Sequence, residues 1–100
     1  MIFKNGEVHC VRLTCGDEIL GQVNQRSNDT DEEQLVTFSK VRHILVQQTS
    51  DGIGISLMPW SFCNVDGDVM VNKDHIMAIL SPDPEMVASY LKQTSKIQLL

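Results

Sequence analysis

Cysteine, histidine and carboxylate side chains are the groups in this chain that could bind a metal ion or act in catalysis. His9, Cys10 and Cys15 lie near the start of the chain, and Cys63 lies far from them. Cys10 and Cys15 are an odd number of residues apart, so a single extended strand would point them to opposite faces. We therefore predict no metal site from these residues, and we expect Cys15 to be a core residue beside Val11 and Leu13.

An acidic polar stretch, SNDTDEEQ at residues 27–34, offers a second kind of chemistry. Asp29, Asp31 and Glu33 place hard oxygen ligands at alternate positions, which could hold a cation. The stretch lacks the central glycine and the distal glutamate of a calcium-binding loop. It is more typical of a solvated loop.

Motifs for covalent or nucleotide chemistry are missing from the sequence. No serine or cysteine lies in an activating pattern such as G-x-S-x-G, and no phosphate-binding or dinucleotide glycine pattern occurs. We therefore expect a protein that is not an enzyme and that needs no cofactor.

The composition limits location and partners. The formal net charge of −5 argues against a general nucleic-acid or anionic-membrane binder, although it leaves room for a local basic site. An odd number of cysteines without a C-x-x-C pair favours free thiols in a reducing compartment. No apolar run approaches the roughly 20 residues of a membrane span, and Met1 to Val11 lacks the apolar core of a signal peptide. We expect a cytoplasmic protein without membrane contact.

The elements that must position these residues are mostly strands. Val11, Leu13 and Cys15 alternate with polar residues, and the alternation resumes at Ile19 after a turn at Gly16, which predicts a hairpin. Strands at Leu35–Gln48 and Ile53–Val65 each switch the parity of their apolar residues, which predicts a bulge and a bend in each. The second switch falls at Pro59. A last strand runs from Val69 to about Leu80.

The chain is therefore predicted to be one mainly β domain, a five-stranded, strongly bent antiparallel barrel over residues 1–80. Residues 81–100 follow as a helix and tail. Asp83 and Pro84 favour a helix start, and the helix should end near Ser95. Its apolar stripe of Met86, Val87, Tyr90 and Leu91 must cover either the barrel or a neighbouring subunit.

The first hairpin and the last strand resemble the two signatures of the Sm-like (LSm) family, whose members have SH3-like barrels. The first signature, L-x-x-G-x-x-[ILV]-x-G-x-[ILV], is matched by Leu13, Gly16, Ile19, Gly21 and Val23. The second, two apolar residues flanking a short polar turn, is matched by Val71 to Ile76. The segment GISLMPW at residues 54–60 looks like a variant in short Sm-like proteins of bacteriophage, particularly cyanophage, origin, which also look to carry a helix after the barrel.

The resemblance implies a homo-oligomeric ring of about five to seven subunits that binds short single-stranded RNA. It implies RNA contacts at Asn72, Lys73 and His75, with Asn28 and Asp29 as a second contact loop. The sequence departs from the family's pattern in three ways that argue against RNA binding. Asn72 replaces the family's usual arginine, the helix follows the barrel, and the loop that contains Asn28 and Asp29 is acidic. The alternative is an oligomeric scaffold that has lost RNA binding and contacts an unknown protein partner.

Overall fold

The computed structural model describes residues 3–24 and 34–95, a mainly β fold with one C-terminal helix, as predicted. Its elements in chain order are β1 (Val8–Leu13), β2 (Glu18–Val23), β3 (Leu35–Thr49), β4 (Gly52–Pro59), β5 (Asp68–Asn72), a 3-10 turn (Lys73–His75), β6 (Ile76–Leu80) and α1 (Pro84–Thr94).

All six strands belong to one antiparallel sheet, in the order β4-β3-β2-β1-β6, and β5 pairs with β3 beside this path. The prediction of five strands was wrong because the 3-10 turn divides the last one into β5 and β6. The predicted closed, strongly bent barrel also needs correction, since the sheet is neither closed nor strongly curled. Within the described residues β4 pairs with β3 and β6 pairs with β1, so the path ends at two strands that do not meet.

The first hairpin forms as predicted, with Val11 opposite Ile19 and Gly16 at φ +100° in the turn. The prediction that Cys15 is a core residue was wrong. β1 ends at Leu13, so Cys15 lies in the turn and is exposed, whereas Cys10 is buried. The alternation of apolar residues in the sequence continues past the end of the strand, and the turn removes Cys15 from the core.

The predicted bulge in β3 lies at Lys40, whose φ is +55°. Leu20 pairs with Arg42 and Gln22 with Ser39, so two residues of β3 lie opposite one residue of β2, Gly21. The second predicted bulge, at Pro59, was wrong. β4 pairs with β3 in unbroken register and ends at Pro59, because proline cannot donate a backbone hydrogen bond to continue the ladder.

One face of the sheet carries the larger core. Its buried residues are Phe3, Val11, Leu13, Ile19, Val23, Val36, Phe38, Val41 and Val71, with Trp60, Val69 and Ile76 packed against them. Gly21 permits the close approach of β2 and β3 here. A Cβ at this position would lie 2.9 Å from the Cβ of Phe38, closer than side chains tolerate.

The opposite face, which we call the helix face, is covered by α1. Asp83 caps the helix by accepting a hydrogen bond from the Glu85 N–H at 3.1 Å, and Pro84 occupies its first turn, as predicted. Tyr90 packs on Cys10 and Leu20, and the partly buried members of the cluster are Val8, Ile44, Leu57, Leu80 and Met86. The helix therefore covers its own sheet, while Leu91 of the predicted stripe stays half-exposed.

The burial of Cys10 predicts unequal reactivity of the three thiols. Burial raises the pKa of the Cys10 thiol to about 11, whereas Cys15 and Cys63 are exposed. Because the thiolate is the reactive form, we expect two thiols to react within minutes with an aromatic disulfide reagent at pH 8, and one only on unfolding. A Cys10→Ala variant should keep the two fast-reacting thiols and lose the one that reacts only on unfolding. Three fast thiols in the native protein would contradict the packing of α1 on β1.

Candidate functional site

The segment that joins β5 to β6 brings three of the predicted site residues together. Asn72 ends β5, and Lys73 and His75 belong to the 3-10 turn that follows. The side-chain oxygen of Asn72 accepts a hydrogen bond from the Asp74 N–H at 2.9 Å and caps this turn. The Lys73 N–H donates to the Gln34 carbonyl oxygen at 2.8 Å, which ties the turn to the residue before β3.

The turn of the first hairpin packs against the same segment. The Thr14 N–H donates to the His75 carbonyl oxygen at 2.8 Å, and Thr14 Oγ1 lies 3.3 Å from His75 Nδ1. We call residues 72–75 together with Thr14 the junction site. The structure places Asn72, Lys73 and His75 in one turn, whereas Asn28 and Asp29 lie outside the described residues.

Asp17, in the same hairpin turn, connects two further side chains that the sequence did not join. Its Oδ2 accepts a hydrogen bond from Trp60 Nε1 at 3.1 Å, and its Oδ1 lies 3.4 Å from His43 Nε2. His43 is partly exposed. Nothing local in the sequence marks Asp17, because its partners are 26 and 43 residues away.

The side chains of the junction site offer an ammonium group, an imidazole, an amide, the Thr14 hydroxyl group and the Asp74 carboxylate. These groups can contact a phosphate and the edge of a base. Across residues 3–24 and 34–95, no three histidine, cysteine, aspartate or glutamate side chains come close enough together to hold a metal ion. The predicted absence of enzymatic activity stays a prediction.

The two end strands of the sheet form a second candidate surface. In the described part of the chain each pairs with one strand, β4 with β3 and β6 with β1. Their sequences, GIGISLMP and IMAIL, contain no charged residue. Several large apolar side chains on them are exposed: Ile53, Ile55, Met58, Met77 and Ile79. Edge strands of monomeric proteins usually carry charges or prolines that prevent pairing with another chain, and here the one such residue on these two strands is Pro59, at the last position of β4.

Comparison with known proteins does not assign this chain to a family. No family model matches it, and no curated protein shows significant similarity. The resemblance to Sm-like proteins thus rests on the residues of the two signatures. Among the helices of the described residues, none has the length and apolar character to span a membrane.

Proposed function

We propose that this chain is a ring-forming protein of the Sm-like kind, in which β4 of one copy pairs with β6 of the next. The observation that carries the proposal is the pair of uncharged end strands with exposed apolar side chains. Hydrogen bonding between such edges would satisfy their backbone groups and bury their apolar side chains. Because the two edges belong to different strands, the contact is head-to-tail and closes into a ring when the rotation allows, with about five to seven copies.

The function proposed for the ring is the binding of short single-stranded RNA at the junction site. A ring would repeat this site once per subunit, so that several weak contacts act together. Lys73 would meet a phosphate, and Asn72 and His75 would contact a base. The grouping of these three residues beside Thr14 supports this assignment, while Asn28 and Asp29 keep their proposed role as a second contact loop.

A scaffold without RNA binding is the second candidate, and two contacts favour it. The side-chain oxygen of Asn72 already accepts the Asp74 N–H, and a ring nitrogen of His75 lies against Thr14. The Asn72 and His75 side chains therefore also hold the turn together. With a net charge of −5, a ring of this chain would also repel RNA at long range.

Native mass spectrometry of the purified chain, with and without short U-rich and A-rich RNA oligomers, tests both proposals. We expect a ring mass that gains whole oligomers, and a Lys73→Ala variant that keeps the ring but binds RNA about fivefold to tenfold more weakly. Lys92→Ala is the matched control, since it removes the same charge from the exposed side of α1 and should leave the affinity unchanged.

The outcomes separate the candidates. A ring that never gains RNA would leave the scaffold as the function. RNA binding that is equally strong in the Lys73 and Lys92 variants would move the binding surface away from the junction site. A monomer at every protein concentration would overturn the ring.

A further inference from the structure

A groove runs beside β6 on the helix face of the sheet. Its apolar lining comes from the first residue of β1, the end of β6 and the first turns of α1. The apolar lining residues on this face are Val8, Leu80, Pro82 and Val87, and Glu7, His9, Ser81 and Ile79 complete the groove. The groove therefore lies where the paired ends of β1 and β6 meet α1, and the other edge of β6 pairs with no other strand of the described residues.

An apolar strip lies at the opposite end of the sheet, on the same helix face. Ile44 and Leu57 pair with each other and are partly buried near α1. The strip continues this face toward the free edge with Val46, Ile53 and Ile55, which are 67%, 75% and 58% exposed. Ile55 also lines a groove with Glu85 and Met86 of its own α1. Val46 is paired with Ile55, and side chains two residues apart share a face, so these three side chains project on the side that α1 covers.

Pairing of β4 with β6 of another copy would place the strip beside the groove. A sheet that continues from one subunit to the next keeps its two faces continuous, because paired residues project their side chains to the same side. The strip at the edge of β4 then lies next to Leu80 of the neighbouring β6. Leu80 and Val87 of α1 line the same groove, so the strip would lie close to this side of the neighbouring helix.

The opposite face of β6 has a matching arrangement. A second groove lies there, lined by Phe3, Ile76, Met77 and Ile79. On β4, Met58 has the opposite parity to Ile53 and Ile55 and is exposed on that other face. An incoming β4 therefore has apolar side chains for the grooves on both sides of β6, as expected of a strand that becomes buried on both faces.

We propose that the groove between β6 and α1 receives Ile53 and Ile55 of a second copy, so that the C-terminal helix is part of the contact between subunits. This inference rests on the proposed ring and adds a contact that strand pairing alone does not require. The occupant is a second copy because the chain itself carries both halves of the contact, each next to an uncharged strand edge.

The test measures subunit dissociation by native mass spectrometry and light scattering over a dilution series. Ile55→Lys introduces a charge at a side chain that is exposed in the single chain, so the fold is retained. Val87→Asp places a charge in the groove but away from the strand edge. Each variant should raise the concentration at half-dissociation at least about 100-fold, because the charge would be buried in an apolar contact. Met70→Lys, a similarly exposed residue of β5, is the control and should change it less than about threefold.

In the double variant Ile55→Lys with Val87→Asp, the concentration at half-dissociation should be at least about tenfold lower than in either single variant, since the two charges attract across each contact. An assembled wild type with unchanged dissociation in Val87→Asp would overturn the groove contact and leave the ring in place. A wild type that is monomeric throughout would overturn the ring and this inference together.

Discussion

Replacing Arg42 with alanine is expected to lower the free energy of unfolding by about 3 kcal/mol, which is the low end of the range for breaking a buried ion pair. The Arg42 side chain is 6% exposed, whereas Asp66, its ion-pair partner, is 53% exposed and would regain solvent contacts after the substitution. The substitution therefore leaves no unpaired charge in the interior, which keeps the loss at the low end of the range.

Arg42 connects three parts of the fold that are far apart in sequence. Its Nη2 donates to Asp66 Oδ1 at 2.7 Å and its Nη1 to the Val65 carbonyl oxygen at 3.1 Å, in the segment before β5. Its Nε donates to Gln93 Oε1 at 3.0 Å, near the end of α1. Truncation to alanine therefore leaves several polar groups without their partner at once.

Urea unfolding followed by circular dichroism measures this loss. Arg42→Lys should fall between the wild type and alanine, because lysine keeps the charge without the planar set of donors. Arg12→Ala is the matched control, since Arg12 pairs with Glu18 on the surface and should cost less than about 1 kcal/mol. Equal losses in the Arg12 and Arg42 variants would contradict the buried network.

Replacing Tyr90 with alanine is expected to lower the free energy of unfolding by about 3–5 kcal/mol, because the substitution leaves a cavity at the centre of the contact between α1 and the sheet. Tyr90 is 1% exposed and packs on Cys10 and Leu20. Its hydroxyl group lies 2.8 Å from the Lys40 carbonyl oxygen and 3.2 Å from that of Ser39, and its one proton is shared between these acceptors. It thereby satisfies the backbone at the bulge of β3. Tyr90→Phe should cost about 1–2 kcal/mol.

The same side chain predicts a change in stability with pH. Burial raises the pKa of Tyr90 from 10.0 to about 12. The unfolded chain then loses this proton at a lower pH than the native protein, so the free energy of unfolding should fall between pH 10 and 12. The buried Cys10, whose pKa is raised from 9.0 to about 11, should add a similar fall between pH 9 and 11.

Urea unfolding at pH 7 and pH 11 separates these effects. Tyr90→Phe should show a smaller loss between the two pH values than the wild type, and Cys10→Ala should also reduce it. Leu91→Ala, at the adjacent and 48% exposed position of α1, should cost less than about 1 kcal/mol at pH 7. A Tyr90→Phe variant with an unchanged pH dependence would contradict the assignment to this hydroxyl group.

Local signals in the sequence predicted the local structure well. The parity switch in residues 35–48 indicated the bulge that lies at Lys40, and Asp83 with Pro84 indicated the start of α1. The alternation that marked β1 misplaced Cys15, because periodicity does not show where a strand ends. The switch between odd and even apolar positions predicts that a strand bends, but it does not give the angle of the bend. It therefore could not distinguish a closed barrel from the open sheet that is observed.

Contacts between residues that are far apart in the sequence could not be predicted from these local signals. Thr14 and His75, 61 residues apart, meet at the junction site only because β6 pairs with β1. The side-chain partners of Arg42 lie 24 and 51 residues away, and an arginine inside a strand pattern gives no sign of them. The candidate residues Asn72, Lys73 and His75 could be predicted as a group because they are neighbours in sequence. Their hydrogen bonds could not.

The position of α1 at the end of the fold has a consequence for how the chain folds during synthesis. β1 leaves the ribosome first, but its partner β6 and the helix that covers Cys10 follow more than 60 residues later. Until residues 84–94 emerge, the nascent sheet exposes the apolar side chains of its helix face to chaperones and to other nascent chains. Ribosomes that translate one message side by side would thus bring together chains whose uncharged strand edges are open at the same time.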